Sequence, residues 1–216
     1  PTPPTAAATT TSVTTNEPAE PRPDSPGGDI EHAWYGSGPK VAIFGDSLTV
    51  QARPLLREMA EGRYALKVGA LYGEGISGGA LSMNLPAPIM PAVIDEYAED
   101  QPDVVVLALG TNDVWQQTLG VASFEREWHH ATRAFPEACL VGVTVTETDR
   151  AWLYDPVEAR QINRVIRRTV DVVADWSRQG ESEHLTGADS IHLTEAGQRR
   201  FAELVMAGTE RCLAST

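Results

Sequence analysis

The sequence predicts an α/β fold in which a parallel sheet is covered by helices on both faces. Three observations predict it. Short runs rich in Val, Ile and Leu recur at residues 40–44, 64–68, 104–109 and 139–145. Stretches with apolar residues at helical spacing lie between them. The central run, Val104-Val105-Val106-Leu107-Ala108-Leu109, is apolar without alternation, as a strand buried on both faces requires. Strands that alternate with helices build parallel sheets with helices on each side.

Taken in order, the 216-residue chain opens on a stretch of different composition. Up to about Gly28 it is nearly all Pro, Thr, Ala, Ser and acidic residues, with Val13 its only large aliphatic. Such a segment buries too little apolar surface to offset its conformational entropy, so residues 1–35 are expected to form a disordered tether. Residues 36–216, roughly 180 in number, suit one domain with a full-sized core. Within it, Lys40-Val41-Ala42-Ile43-Phe44 ends at Gly45 and reads as a buried strand. Residues 53–61 read as a helix carrying Leu55, Leu56 and Met59, and residues 64–68 as a second strand. Pro86, Pro88 and Pro91 interrupt any earlier helix, so the next is expected over 92–99. Residues 124–135 are helical and 139–145 form a β-branched strand. The longest predicted helix covers 157–176, with Ile162, Val165, Ile166 and Val173 along one stripe. A last helix starts near Thr194, an N-cap residue, and runs through Phe201 and Leu204.

The formal net charge of −13 repels phosphate backbones, so nucleic acid is not expected as a partner. No apolar run approaches the roughly 20 residues that span a bilayer, and a monomer acting on a small-molecule or glycan ester is expected. Neither Cys139 nor Cys212 lies in a C-x-x-C or Cys/His cluster, so neither a metal site nor a cofactor is expected. An even Cys count behind a Pro/Thr-rich leader suits an exported protein in which a Cys139–Cys212 disulfide persists; two buried free thiols are the alternative. The chain starts at Pro1 rather than Met, and is read as a secreted or bacterial-type envelope-attached protein whose signal segment has been removed.

Right-handed crossovers bring the C-terminal ends of parallel strands to one edge, where such sheets bind ligands. Gly45-Asp46-Ser47 follows the first strand and Gly110-Thr111-Asn112-Asp113 the central one, so both turns fall on that edge. A serine hydroxyl needs a base, the base needs an orienting group, and acyl transfer needs donors for the oxyanion. Ser47 stands at a strand-to-helix turn, beside the free amides of a helix start. Asn112 supplies a side-chain amide. Asp189-Ser190-Ile191-His192 places a carboxylate three residues before a histidine, just ahead of the final helix. Of the other histidines, His129 and His130 fall within a helix, His32 in the leader and His184 in a polar loop.

The set Gly45-Asp46-Ser47-Leu48, Gly110-Thr111-Asn112-Asp113 and Asp189-x-x-His192, with Ile76-Ser77-Gly78 after the second strand, resembles the four-block pattern of the SGNH/GDSL hydrolases. The resemblance runs from Lys40 to the C-terminus in the expected order. It implies a flavodoxin-like three-layer α/β/α sandwich with a central parallel sheet. It also implies a catalytic triad of Ser47, Asp189 and His192, and an oxyanion hole of the Ser47 and Gly78 amides and the Asn112 side chain. The expected activity is carboxylic-ester hydrolysis through an acyl-Ser47 intermediate, on a carbohydrate or glycolipid ester of the cell envelope. Acyl transfer to a sugar hydroxyl is the first alternative, and a binding module without activity the second.

Two further motifs overlap at residues 73–79. Gly75-Ile76-Ser77-Gly78-Gly79 fits the G-x-S-x-G nucleophile elbow, and Gly73-Glu74-Gly75-Ile76-Ser77-Gly78 fits the G-x-G-x-x-G dinucleotide fingerprint. Both need a helix directly afterwards, and the prolines between 81 and 91 preclude a regular one. The stretch is therefore read as a glycine-rich loop bringing an amide to the site. Trp152 and Tyr154, in a loop after the fourth predicted strand, either rim an acyl or sugar pocket or serve ordinary surface packing. Trp115 has the same two readings.

Overall fold

The β-branched runs form strands enclosed on both faces: Val41, Ala42, Ile43 and Phe44 have no exposure, nor have Val104, Val105, Val106 and Leu107. A computed structural model describes residues 28–79, 89–116, 120–182 and 184–215. Its strands are β1 (Gly28–Ile30), β2 (Lys40–Gly45), β3 (Ala65–Leu71), β4 (Val104–Ala108), β5 (Cys139–Val143) and β6 (Val172–Ala174). They form one sheet in the order β1-β3-β2-β4-β5-β6. All neighbours run parallel except β1, which lies antiparallel on the edge against β3. The helices are α1 (Ser47–Ala60), α2 (Ile89–Ala98), α3 (Thr111–Gln116), α4 (Gly120–Ala134), α5 (Pro156–Thr169) and α6 (Glu195–Leu213). α1 and α6 pack together on one face, while α2, α4 and α5 cover the other. This is the three-layer α/β/α sandwich that the alternating pattern predicts.

Several boundaries differ from the sequence reading. Residues 28–35, read as the end of the tether, belong to the folded domain. β1 pairs with β3, and Tyr35 exchanges backbone hydrogen bonds with Leu66. The buried Arg53 guanidinium donates to Asp29 O at 2.8 Å, and Glu31 accepts from Val68 N and Arg57. These partners are distant in sequence, so composition could not reveal them. Residues 1–27, the rest of the tether, lie outside the described residues. Secondly, the helix read over 157–176 is two elements. Thr169 Oγ1 turns back onto Val165 O and Ile166 O and accepts from Trp128 Nε1, and the β-branched residues that follow pair as β6. Thirdly, α1 starts at Ser47 and α2 at Ile89. α1 keeps Pro54 in its interior, and Pro91 sits in the first turn of α2, where its missing N–H costs nothing.

The strand order reverses beside β2, which has β3 on one side and β4 on the other. Gly45 stands opposite both Ala70 and Ala108, so these three strands end level at one edge of the sheet. Such a crevice is where open parallel sheets place their ligands. Cys139, at the opposite end of β5, is disulfide-bonded to Cys212 in the last turn of α6. The expected bridge is therefore present, and it anchors the far end of the helix that starts next to His192.

Candidate active site

The first turn at this edge is tight. A Cβ on Gly45 would stand 2.0 Å from Thr49 Oγ1, so only glycine lets α1 fold back this closely. Asp46 is the N-cap of α1, and its Oδ1 accepts from Leu48 N at 3.0 Å. Ser47 is the first residue of the helix and is 3% exposed. First-turn amides have no partner within their own helix. Burial pushes the Asp46 carboxyl up to about 7; the Leu48 amide, Thr111 and His192 pull it down, and Asp113 adds to the rise. Asp46 thus lies within electrostatic reach of both the turn after β4 and the histidine loop.

The turn after β4 grips the glycine-rich loop after β3. Asn112 is buried and its Nδ2 donates to Glu74 O at 3.1 Å. An amide nitrogen carries two hydrogens, so a second donor remains on that side chain. Asp113 accepts from Ile76 N at 3.0 Å, from Ser77 N at 2.9 Å and from Ser77 Oγ. Gly75 N donates to Gly78 O, closing the turn, and Gly78 adopts φ +132°, a conformation that L side chains rarely take. Ser77, the serine of the G-x-S-x-G pattern, is thus bonded to a carboxylate rather than to a histidine. The residues that would show a helix directly after it, 80–88, lie outside the described residues.

The third piece is the loop before α6. Gly187 N bonds His192 O and Thr194 N bonds Leu185 O, so the loop closes as a narrow turn. Asp189 Oδ1 accepts from the Ile191 and His192 amides at 3.0 Å, and its Oδ2 lies 2.6 Å from His192 Nδ1. Partial burial raises the Asp189 carboxyl, but the His192 bond and the two amides outweigh it and hold it below its usual range. With Nδ1 so engaged, Nε2 is the nitrogen left to act as a base. Leu193 N donates to Gln51 Oε1 at 2.9 Å, clamping the loop to α1 one turn beyond Ser47. Thr194 caps α6, as expected, through Gly197 N.

The aromatic candidates separate. The Trp115 ring is half-buried with its centroid 5.9 Å from that of His192. Trp152 is 81% exposed, on the loop that carries Arg150. Tyr154 is buried and its hydroxyl donates to Thr146 O, so the pocket-rim reading does not fit it. The remaining paired histidines meet carboxylates elsewhere: His32 with Glu96, His130 with Asp95 and His129 with Glu125. Sequence reasoning missed three contributors, Asp46, Asp113 and Gln51. The first two stood inside the recognised tetrapeptides without a role, because only the tertiary contacts supply one.

The sequence pattern of the GDSL-like Lipase/Acylhydrolase family matches residues 43–200, which includes every one of these turns. The chain belongs to the GDSL-like lipase/acylhydrolase family. Solved structures show the same fold at low identity. A carbohydrate esterase family 3 protein from Talaromyces cellulolyticus aligns with a TM-score of 0.64 at 18% identity, over 83% of this chain and 100% of its own. The inhibitor-bound aryl esterase of M. Smegmatis gives 0.62 at 15% identity, over 81% and 99%. A lipolytic G-D-S-L family protein from Veillonella parvula gives 0.61 at 16% identity, over 81% and 100%. No curated protein sequence matches the chain. Membership of the GDSL family supports ester hydrolysis as the class of reaction.

Proposed function

We propose that this chain is a serine carboxylic-ester hydrolase acting through an acyl-Ser47 intermediate. The observation that carries the reading is the Asp189–His192 pair, bonded at 2.6 Å and clamped to α1 by Leu193 and Gln51, the helix on which Ser47 is the first residue. In the first step His192 Nε2 takes the Ser47 proton as Oγ attacks the ester carbonyl. The carbonyl oxygen becomes an oxyanion held by the Ser47 and Gly78 amides and the free N–H of Asn112. Collapse breaks the ester C–O bond, and the alcohol leaves with the proton from His192. Water, deprotonated by His192, then attacks the acyl-enzyme and releases the acid with Ser47 restored. Asp189 keeps the imidazole in the tautomer with Nε2 free and stabilises its cation.

The substrate class proposed is an O-acylated carbohydrate or glycolipid of a bacterial-type cell envelope. A polar depression of about 380 Å³ lined by Arg150, Thr186, Gly187, Ala188 and Ser190 opens beside the Asp189 loop, and it suits a hydroxyl-rich substrate better than a long acyl chain. The exposed Trp152 and the half-buried Trp115, whose ring lies 5.9 Å from that of His192, are flat surfaces on which a sugar ring could stack. The carbohydrate esterase of like fold lends this reading support by analogy. Acid release from a panel of O-acetylated sugars and long-chain p-nitrophenyl esters tests it. Turnover of acetylated sugars that disappears in Ser47→Ala supports the assignment, while turnover of long-chain esters alone would overturn the substrate class.

A further inference from the structure

We propose that Asp113 is a positioning residue whose buried carboxylate fixes the 75–78 turn and so sets the place of the Gly78 amide beside Asn112. The inference deepens the oxyanion-hole reading above and rests on it. Asp113 is 8% exposed and receives three hydrogen bonds from two consecutive residues of the loop. Its Oδ1 takes both donors of Ser77 and its Oδ2 takes Ile76 N. Only an acceptor-only group can satisfy all three; an apolar side chain of the same size would fill the space and hold nothing. Burial pushes the Asp113 carboxyl up, and the Ser77 and Ile76 donations oppose that rise, so the bonds work against a real cost of enclosure.

The loop has no slack at this contact. A Cβ on Gly75 would stand 2.6 Å from Asp113 Oδ2 and 2.7 Å from Gly78 O. Asn112, one residue earlier on α3, holds Glu74 O. Two adjacent residues therefore grip the loop at 74, 76 and 77, one on each side of Gly75. The next residue, Gly78, keeps its left-handed φ of +132° under that grip. The two oxyanion donors outside α1 are in this way one mechanical unit. An oxyanion hole works because its donors stand in place before the charge develops, and a displacement of about 1 Å costs on the order of 10² in rate. Ser77 finds its role here too, as a strut of the loop.

The test is steady-state kinetics on a p-nitrophenyl ester with folding followed by circular dichroism. Asp113→Asn keeps the volume but sets an NH₂ group against either Ser77 or Ile76. We expect the folded variant to lose about 10–10² in kcat with KM within about threefold, because the donors are displaced only where the transition state uses them. Ser77→Ala removes one of the three bonds and should lose about 3–10-fold in kcat, again with KM little changed. A purely structural carboxylate would lower the melting temperature and leave kcat of the folded fraction at the wild-type value, and that result overturns the proposal. Where Asp113→Asn does not fold, a Ser77→Ala enzyme with wild-type kcat overturns it equally. Asn112→Ala in the same assay separates the two levels. Full activity there sinks the oxyanion hole itself, whereas loss there with active Asp113→Asn sinks only the positioning role.

Discussion

Replacing Asn112 by Ala removes two different hydrogen bonds with two different consequences. One N–H holds Glu74 O at 3.1 Å in the buried loop contact. Losing that bond inside the buried loop costs about 0.5–1.5 kcal/mol. In a domain of this size each kcal/mol lowers the melting temperature by roughly 2–4 °C, so a fall of a few degrees is expected. The other N–H is proposed to meet the oxyanion. Deleting one such donor costs about 2.7–4 kcal/mol in the transition state, or about 10²–10³ in kcat. The ground-state carbonyl gains little from that donor, so KM should change little. Circular dichroism melting beside kinetics on a p-nitrophenyl ester reads both effects on one sample, at a temperature well below the transition. A variant that melts a few degrees lower yet turns over at near the wild-type kcat would show that Asn112 only holds the loop, and would remove it from the catalytic set.

Three other outcomes follow from the same geometry. Asp189→Asn should lower kcat on the order of 10⁴-fold with little loss of stability, because an amide permits the wrong imidazole tautomer; a change under tenfold would contradict the orienting role. Asp46 keeps its proton up to about 7 in the fold and only to 3.8 in the unfolded chain, so its contribution is full below 3.8 and is lost as pH rises to 7. Asp46→Asn keeps the helix cap and should gain up to about 4 kcal/mol on wild type between pH 4 and 8, measured by urea unfolding; a pH-independent difference would show that Asp46 is ionised throughout. Reducing the Cys139–Cys212 bridge, which closes a 73-residue separation, should cost about 4 kcal/mol or somewhat less, read as a lower urea midpoint with dithiothreitol; an unchanged midpoint would refute it.

The parts of the fold legible in the sequence are those whose burial leaves a local signature. β2, β4 and β5 are enclosed on both faces and read as unbroken apolar runs. β1 and β6 are three residues long and exist because a neighbouring strand offers a ladder, so nothing local announces them. Val173 illustrates the ambiguity: it fits a helical stripe by spacing and a strand by β-branching, and the turn back at Thr169 decides it. At the site, Ser47, Asn112, Asp189 and His192 could be picked out because each stands at a strand end or helix start with its chemistry attached. Tyr154 could not be sorted from Trp152 by sequence, since adjacent aromatics in a loop alternate between core and solvent. The part played by Asp113 was hidden for a different reason: its partners lie 36 and 37 residues away.

The central claim is that Ser47 carries the acyl group, and covalent labelling tests it most directly. The protein should be treated with a fluorophosphonate, weighed intact and digested for peptide mass mapping. The account predicts one adduct per chain, on Ser47, that is absent in Ser47→Ala and retained in Ser77→Ala. An adduct on Ser77, or no adduct on a folded protein that still hydrolyses esters, would contradict it.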